Sequence, residues 1–351
     1  MISSAECGTD TRTMAITNAT IRDVARASGV SPMTVSRVIN ESERVRPETR
    51  RRVEHAIEEL GYVPNRHARG LSRRRTGTIA VIVPDVANPF FTQIVRAAEE
   101  VARRADYRVL LCDTRADVNV ERDVISEMIA HRVEGIVIAP VSDRSSAHLR
   151  HLARFGVPFV LIDRTVAGVE ADSVVGDSSG GARQLVEHLI SLGHHRIGMV
   201  IETDEVSTAR DRRRGYEAAL NGAGIAVDPR LVTEATVDPE GGIEGMSRLL
   251  ALEEPPTAVF TVNNLVALGA IEAVRSAGLE VPDDVALVCF DDIEYASRLY
   301  PFLTAMVQPA ETFGTLGTQL LLERIEGRGP ERAHVVVLPG EFTVRKSCGA
   351  A

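Results

Sequence analysis

Asp291 and Asp292 stand side by side, as do His194 and His195, and such pairs can share a proton or hold a metal. Neither pair sits in a setting that would put it to that use. The chain carries no P-loop glycine run, no Gly-x-Ser-x-Gly elbow and no His-Glu-x-x-His helix. His194-His195 follows Gly193 where a helix gives way to a strand, a position suited to turn or surface side chains. Cys7, Cys112, Cys289 and Cys348 are too scattered for a zinc spacing or a disulfide framework, so reduced thiols are expected. No catalytic residue, metal or cofactor is therefore assigned. A denser set lies near the N-terminus: Ser31, Pro32, Met33, Thr34, Ser36, Arg37 and Asn40 bring hydroxyls, an amide and a guanidinium together within ten residues. That chemistry is hydrogen bonding to phosphates and base edges.

The elements needed to present those groups are written around them. Thr20 can cap a first helix through its hydroxyl, with Asp23 where a carboxylate suits the positive end of the dipole. Ile21, Val24 and Ala25 share one face. Gly29 tolerates the left-handed backbone that ends a helix, Val30 turns back to the core, and Ser31-Pro32 supplies an N-cap and an N1 proline. In the second helix Val35, Val38 and Ile39 point inward, leaving the polar set outside. A third helix from Pro47 to Leu60, with Val53, Ile57 and Leu60 as its stripe, closes a three-helix core. The pattern is a helix-turn-helix, and duplex DNA is its expected partner.

Charge agrees locally. The whole chain is acidic, with a formal net charge of −9, yet residues 16–76 carry thirteen arginines and no lysine against seven Asp plus Glu, or +6. Phosphate neutralisation would act there while the acidic remainder resists indiscriminate binding. Residues 66–75 are short, basic and interrupted by Gly70, so they cannot fold alone. Ala68 and Leu71 could present a small and a large apolar group together if the segment became helical on DNA, with Leu71 wedged between minor-groove base steps.

Residues 1–15 lack the basic start and apolar core of a secretory signal and read as a disordered extension, with Met14 a possible translation start. No run of roughly 18 apolar residues suggests a membrane span, and a cytoplasmic protein is expected.

From Gly77 the text alternates apolar runs with amphipathic helices. Strands are expected at 78–83, 109–111, 135–139 and 159–162, with helices at 90–104, 119–131 and 145–155. A second series begins near Asp177, with strands near 196–201, 231–236, 257–262 and 285–290 and helices at 179–192, 208–222, 240–251 and 264–277. Two doubly wound, parallel α/β lobes follow. Ligands of such sheets bind beyond the carboxyl ends of the strands, which here carry Asp85, Asp163, Asn263 and Asp291.

Thr20 to Leu71 resembles the lactose/galactose repressor (LacI/GalR) family, through Val30-Ser31, Thr34-Val35-Ser36-Arg37-Val38, Glu59-Leu60-Gly61-Tyr62 and Pro64-Asn65. The resemblance continues in Asn88-Pro89-Phe90-Phe91, Leu161-Ile162-Asp163-Arg164, Gly193-His194, Arg212-Arg213-Arg214-Gly215-Tyr216, Ala267-Leu268-Gly269-Ala270 and Phe290-Asp291-Asp292. It implies a homodimer on pseudo-palindromic double-stranded operator DNA and an allosteric core like that of periplasmic sugar-binding proteins. Three chain crossings between lobes are implied too. The boundaries become an extension at 1–17, a DNA-binding domain at 18–63, a hinge at 64–76 and a core at 77–351. Lobe 1 takes about 77–176 and 307–335, and lobe 2 takes 177–306 and 336–351.

By the same resemblance Pro32, Met33 and Arg37 face bases, Arg37 best suited to reading guanine bidentately. Thr20, Ser31, Thr34, Ser36, Asn40, Thr49 and Tyr62 hold phosphates, and Asn65, Ala68 and Leu71 enter the minor groove. Asn88, Phe90, Phe91, Asp163, Arg212, Asn263 and Asp291 would hold a small polar effector, with a sugar favoured and a nucleoside or other polyol compatible. Phe91 also suits ordinary core, and Asp163-Arg164 an internal salt bridge. The family often has an acid where this chain has Asn264. The chain ends shortly after Phe342 without a leucine heptad, which favours a dimer over a tetramer.

Overall fold

A computed structural model describes residues 19–39, 45–63, 76–329 and 331–350, with backbone alone for 294 and 295. Asn40, Asn65, Ala68, Leu71 and the expected extension at 1–17 lie outside the described residues. The chain divides into two compact units, the second beginning at Thr76.

The first unit packs α1 (Ile21–Ser28), α2 (Pro32–Ile39) and α3 (Pro47–Glu59) around Val24, Ala25, Val35, Val38, Val53 and Ala56. Thr20 and Asp23 form a capping box at the start of α1, in which the Asp23 carboxylate accepts from the Thr20 backbone N–H at 2.9 Å and from the Thr20 hydroxyl at 2.6 Å. One sequence expectation shifts. On α3 the inward position belongs to Ala56, whereas Leu60 is 40% exposed. Val53 and Ala56 are three apart, and the small methyl lets α3 lie close to its neighbours. Gly29 adopts φ 65° and ends α1, with the Val30 amide returning to the Ala25 carbonyl at 3.1 Å. This is the left-handed stop the turn requires.

The second unit contains two six-stranded sheets. β1 (Thr78–Val83), β2 (Arg108–Asp113), β3 (Ile136–Ile138), β4 (Phe159–Asp163), β5 (Asp172–Gly176) and β11 (Val335–Leu338) form the first, in the order β11-β5-β4-β3-β1-β2, all parallel. β6 (Ile197–Ile201), β7 (Val232–Glu234), β8 (Ala258–Thr261), β9 (Ala286–Phe290), β10 (Thr304–Val307) and β12 (Glu341–Thr343) form the second, in the order β12-β10-β9-β8-β6-β7, with β12 alone antiparallel. The chain thus crosses between lobes three times, after β5, after β10 and after β11. The first sheet holds the chain to Leu338, three residues beyond the return expected at 335. The run Val335-Val336-Val337-Leu338 pairs with β5, so β-branched side chains carry the ladder past that point.

Helices cover both faces of each sheet. Ile79, Val81 and Val83 of β1 join the core formed with α4 (Pro89–Arg104) and α12 (Ala310–Ile325), while Ala80 and Ile82 join that of α5 (Val118–Ala130) and α6 (Ser146–Arg154). Burial on both sides explains the unbroken apolar run. The second lobe is built likewise from α7 (Ser178–Ser191), α8 (Ser207–Gly222), α9 (Pro239–Leu250) and α10 (Asn264–Ser276), with the short α11 (Glu294–Leu299) after β9. No helix among the described residues is long and apolar enough to cross a membrane.

Candidate functional sites on the helix-turn-helix and in the interlobe cleft

Alternation along α2 sorts its side chains. Val35 and Val38 are buried, while Ser31, Pro32, Met33 and Arg37 are exposed, Met33 to 66%. Ser31 caps the helix, its hydroxyl accepting from the Thr34 amide at 3.2 Å and sitting 3.0 Å from the Thr34 hydroxyl. The Arg37 guanidinium lies 3.7 Å from the Met33 sulfur, one turn back on the same face. Thr20 is exposed at the start of α1, Ser36 and Thr49 are half-buried, and Tyr62 packs half-buried against the three-helix core. The outer side of α2 therefore presents a flexible thioether and a guanidinium, with the Ser31 hydroxyl at its start.

In the core the ends of the strands converge. Asn88, Phe90, Phe91 and Asp163 from lobe 1, with Arg212, Asn263 and Asp291 from lobe 2, line a single small cavity between the lobes. Asn88 and Asn263 are the N-caps of α4 and α10. Their side-chain oxygens accept from Phe90 N at 3.0 Å and Val266 N at 2.8 Å. Capping fixes each amide and leaves only part of its hydrogen-bonding capacity for a ligand. Asp163 ends β4 and Asp291 directly follows β9, and both have left-handed backbone, φ 64° and 60°. Two acids in matching strained positions, one per lobe, mark the places where each strand turns into the cleft.

Their surroundings set their charge. Asp291 is buried, and burial lifts its carboxyl to about 6, against the opposing pull of Arg212 and of a 2.9 Å hydrogen bond from the Gln308 side-chain amide. Asp163 and Asp292 add to the rise. Asp292, its neighbour, has a different job. Burial works against its ionisation too, yet hydrogen bonds from Arg345 at 2.9 and 2.7 Å and from Ser297 hold it below the usual carboxylate range. The adjacent acids thus separate into one facing the cleft and one tying the C-terminal segment to lobe 2.

Arg212 is buried, donates to the Val262 carbonyl at 2.8 Å and lies 4.1 Å from the centre of the Phe290 ring. Its Nε has no acceptor among the described residues, a buried donor that a ligand oxygen would satisfy. Arg164 approaches Asp163 at 3.3 Å and Glu202 of the opposite lobe at 3.7 Å, so the expected internal pair is present and extends across the cleft. Glu202, Thr208 and Val237 also line the cavity and were absent from the sequence-based set. Glu202 directly follows β6, so the strand-end rule that singled out Asp163 would have reached it. Asn264 is buried and donates to the Asp292 carbonyl at 3.1 Å. An acid in its place could not make that donation while ionised. Phe90 and Phe91 are 6% and 4% exposed and meet edge to face, with Phe90 also against Phe313. They serve the lobe 1 core as well as the cavity wall. His194, at the helix-to-strand connection, hydrogen-bonds the Thr257 hydroxyl at 3.0 Å.

A helix-turn-helix unit followed by a two-lobed core whose strand ends meet at a polar cleft defines the class: a DNA-binding head on a periplasmic-binding-protein-like body. Residues 20–65 match the model of bacterial regulatory proteins of the lacI family, and residues 186–348 match that of a periplasmic binding protein-like domain. The HTH-type transcriptional repressor PurR of Pasteurella multocida (strain Pm70) is 38% identical over 331 residues, covering 94% of this chain and 98% of that protein. Among solved structures, the lac repressor dimer bound to operator and the anti-inducer ONPF matches with a TM-score of 0.83 and 30% identity, over 95% of this chain and 100% of the other. The transcriptional regulator CelR–cellobiose complex matches with a TM-score of 0.71 and 32% identity, over 94% and 100%. The chain belongs to the lacI family of bacterial regulatory proteins.

Proposed function

We propose that this transcriptional regulator represses its target genes as a cytoplasmic homodimer on a pseudo-palindromic operator, under control of a neutral polyhydroxylated effector, a sugar, bound between the lobes. The observation that carries the reading is the convergence of Asn88, Phe90, Phe91, Asp163, Arg212, Asn263 and Asp291 from both lobes on one cavity. A ligand touching both walls changes the free energy of closure, and closure is the quantity a DNA-binding head can sense.

The chemistry favours hydroxyls over a base or an anion. Carboxylates accept from vicinal hydroxyls, the free Nε of Arg212 donates, and three acids (Asp163, Glu202, Asp291) against two guanidiniums (Arg164, Arg212) would repel a negative ligand. Among the described lining residues the aromatic ones are Phe90 and Phe91, both more than nine-tenths buried, which leaves little ring face for a purine. The cellobiose bound by the CelR relative accords with this choice, and the operator-bound lac repressor dimer accords with the dimeric DNA reading. On the head, Pro32, Met33 and Arg37 read bases, while Thr20, Ser31, Thr34, Ser36, Asn40, Thr49 and Tyr62 grip phosphates and Asn65, Ala68 and Leu71 enter the minor groove. Selection of genomic fragments by full-length protein, followed by gel-shift titration with and without sugars, tests the proposal. We expect a palindromic consensus whose affinity changes on adding one sugar; equal affinity for every duplex, with or without sugars, would refute it.

A further inference from the structure

The cavity enclosed by the seven residues is only about 20 Å³, room for one water. Past Asn88, Phe91, Arg164, Glu202, Val237 and Asn263, which line both spaces, it gives onto an outer chamber of about 590 Å³. That is the size of a ligand site. Its walls come from both lobes: Arg115, Asn119, Ser142 and Arg144 on one side, Thr203 and Glu205 on the other. The chamber is closed along one side by a clasp between the lobes, in which the Asp143 amide donates to the Glu205 carbonyl at 2.9 Å and the Asp143 carboxylate pairs with Arg210 at 2.6 Å.

We infer that the effector is an elongated saccharide of at least two linked rings, the outer ring held in this chamber by Arg115, Asn119 and Arg144. The inference rests on the reading of the cleft as a polyol site. Arg115 and Ala116 both hold positive φ, 52° and 54°, with the Ala116 amide tied to the Pro84 carbonyl at 2.8 Å and the Arg115 amide to Asp113 at 2.9 Å. Left-handed backbone at two successive non-glycine residues is strained, and both residues lie on the chamber wall. Arg115 and Arg144 both line the chamber and are exposed, so their guanidiniums can turn from water to a ligand's hydroxyls. A phosphate is disfavoured. Asp117 already occupies the α5 N-terminus through the Asn119 and Val120 amides, at 2.6 and 3.4 Å. The chamber as a whole sets four acids (Asp85, Asp117, Glu202, Glu205) against three arginines (Arg115, Arg144, Arg164). Interleaved donors and acceptors of both kinds suit neutral ring hydroxyls.

Titration calorimetry on the full-length protein tests this with glucose, galactose and ribose, with cellobiose, maltose, lactose, sucrose and trehalose, and with glucose 6-phosphate, adenosine and guanosine. We expect one disaccharide to bind at least about 10-fold more tightly than its component monosaccharides. Arg115→Ala and Arg144→Ala should each remove most of that advantage and leave monosaccharide affinity unchanged, with thermal melts confirming folded variants. A monosaccharide that binds as tightly as any disaccharide, with both arginine variants silent, overturns the outer subsite and leaves the polyol reading standing. Binding of only a nucleoside or the sugar phosphate, or of nothing in the panel, overturns both.

Discussion

Asp291 is where a single buried side chain bears on stability and, in the proposed reading, on effector recognition. Its carboxyl sits at about 6, above the ordinary 3.8, so the folded protein binds this proton more tightly than the unfolded chain does. The sign follows: stability falls as pH rises from near 4 through 6, and the cost is present in full above 6. Asp291→Asn removes the buried charge. We expect that variant to be more stable than the parent by roughly 1–3 kcal/mol at pH 8, with the gap closing toward pH 4, as read by chemical denaturation at several pH values. A constant gap would mean that Asp291 titrates like a free carboxyl. Effector affinity should fall at least about 10-fold in the variant, and in the parent it should rise with pH between 5 and 7, because a hydroxyl donor prefers the ionised acceptor. On the head, the exposed Arg37 lies on the face of α2 beside Met33. If it reads a base, Arg37→Ala costs about 1–3 kcal/mol on the preferred site and relaxes discrimination at one position. A uniform loss across all sequences in competition gel shifts would assign it to phosphate.

At the level of elements, what the sequence discloses depends on how many neighbours decide the outcome. The helix-turn-helix is local: Asp23, Gly29, Ser31 and Pro32 fix caps and a turn within a dozen residues, and the strands 78–83 and 159–162 are continuous apolar runs. β5, Asp172-Ser173-Val174-Val175-Gly176, is short and polar and escaped notice, because its place is set by β4 and β11 and by Arg324 bonding Asp172 at 2.6 Å. Glu121 was equally silent. It lies fully buried on α5, hydrogen-bonded to His148 and accepting from the Val141 amide at 2.7 Å, an arrangement formed only when three distant segments meet. The cleft residues were legible through the strand-end rule and the resemblance; the outer chamber was not, since its size is a property of the packed lobes. Close helix packing gives the third prediction. A Cβ at Gly269 of α10 would lie 1.8 Å from the Pro239 carbonyl oxygen of α9. Backbone cannot yield as a side-chain tip can, so Gly269→Ala should lower core stability by about 1–3 kcal/mol, despite alanine's better helix propensity. An unchanged denaturation midpoint would show that α9 and α10 pack more loosely than this.

Across the whole molecule, any coupling between two binding sites is reciprocal. If the effector changes operator affinity by some factor, the operator must change effector affinity by the same factor, typically 5- to 150-fold for a coupling of about 1–3 kcal/mol. In the proposed mechanism closure of the lobes carries the coupling, and Asp143–Arg210 is a contact made across the cleft and outside the cavity of the seven residues. Both partners are partly exposed, 27% and 37%, so solvent screens the pair and its worth is about 0.5–1 kcal/mol. Arg210→Ala should therefore cost the closed form that amount and weaken effector binding by about 2- to 5-fold without touching the ligand. The two coupling ratios, operator affinity with and without effector and effector affinity with and without operator, should remain equal to one another in parent and variant alike. Effector binding by calorimetry and operator binding by fluorescence anisotropy close this cycle. If Arg210→Ala leaves effector affinity unchanged while small-angle scattering shows the free core opened, closure is not what the effector stabilises, and the signal to the DNA-binding head must originate within a single lobe.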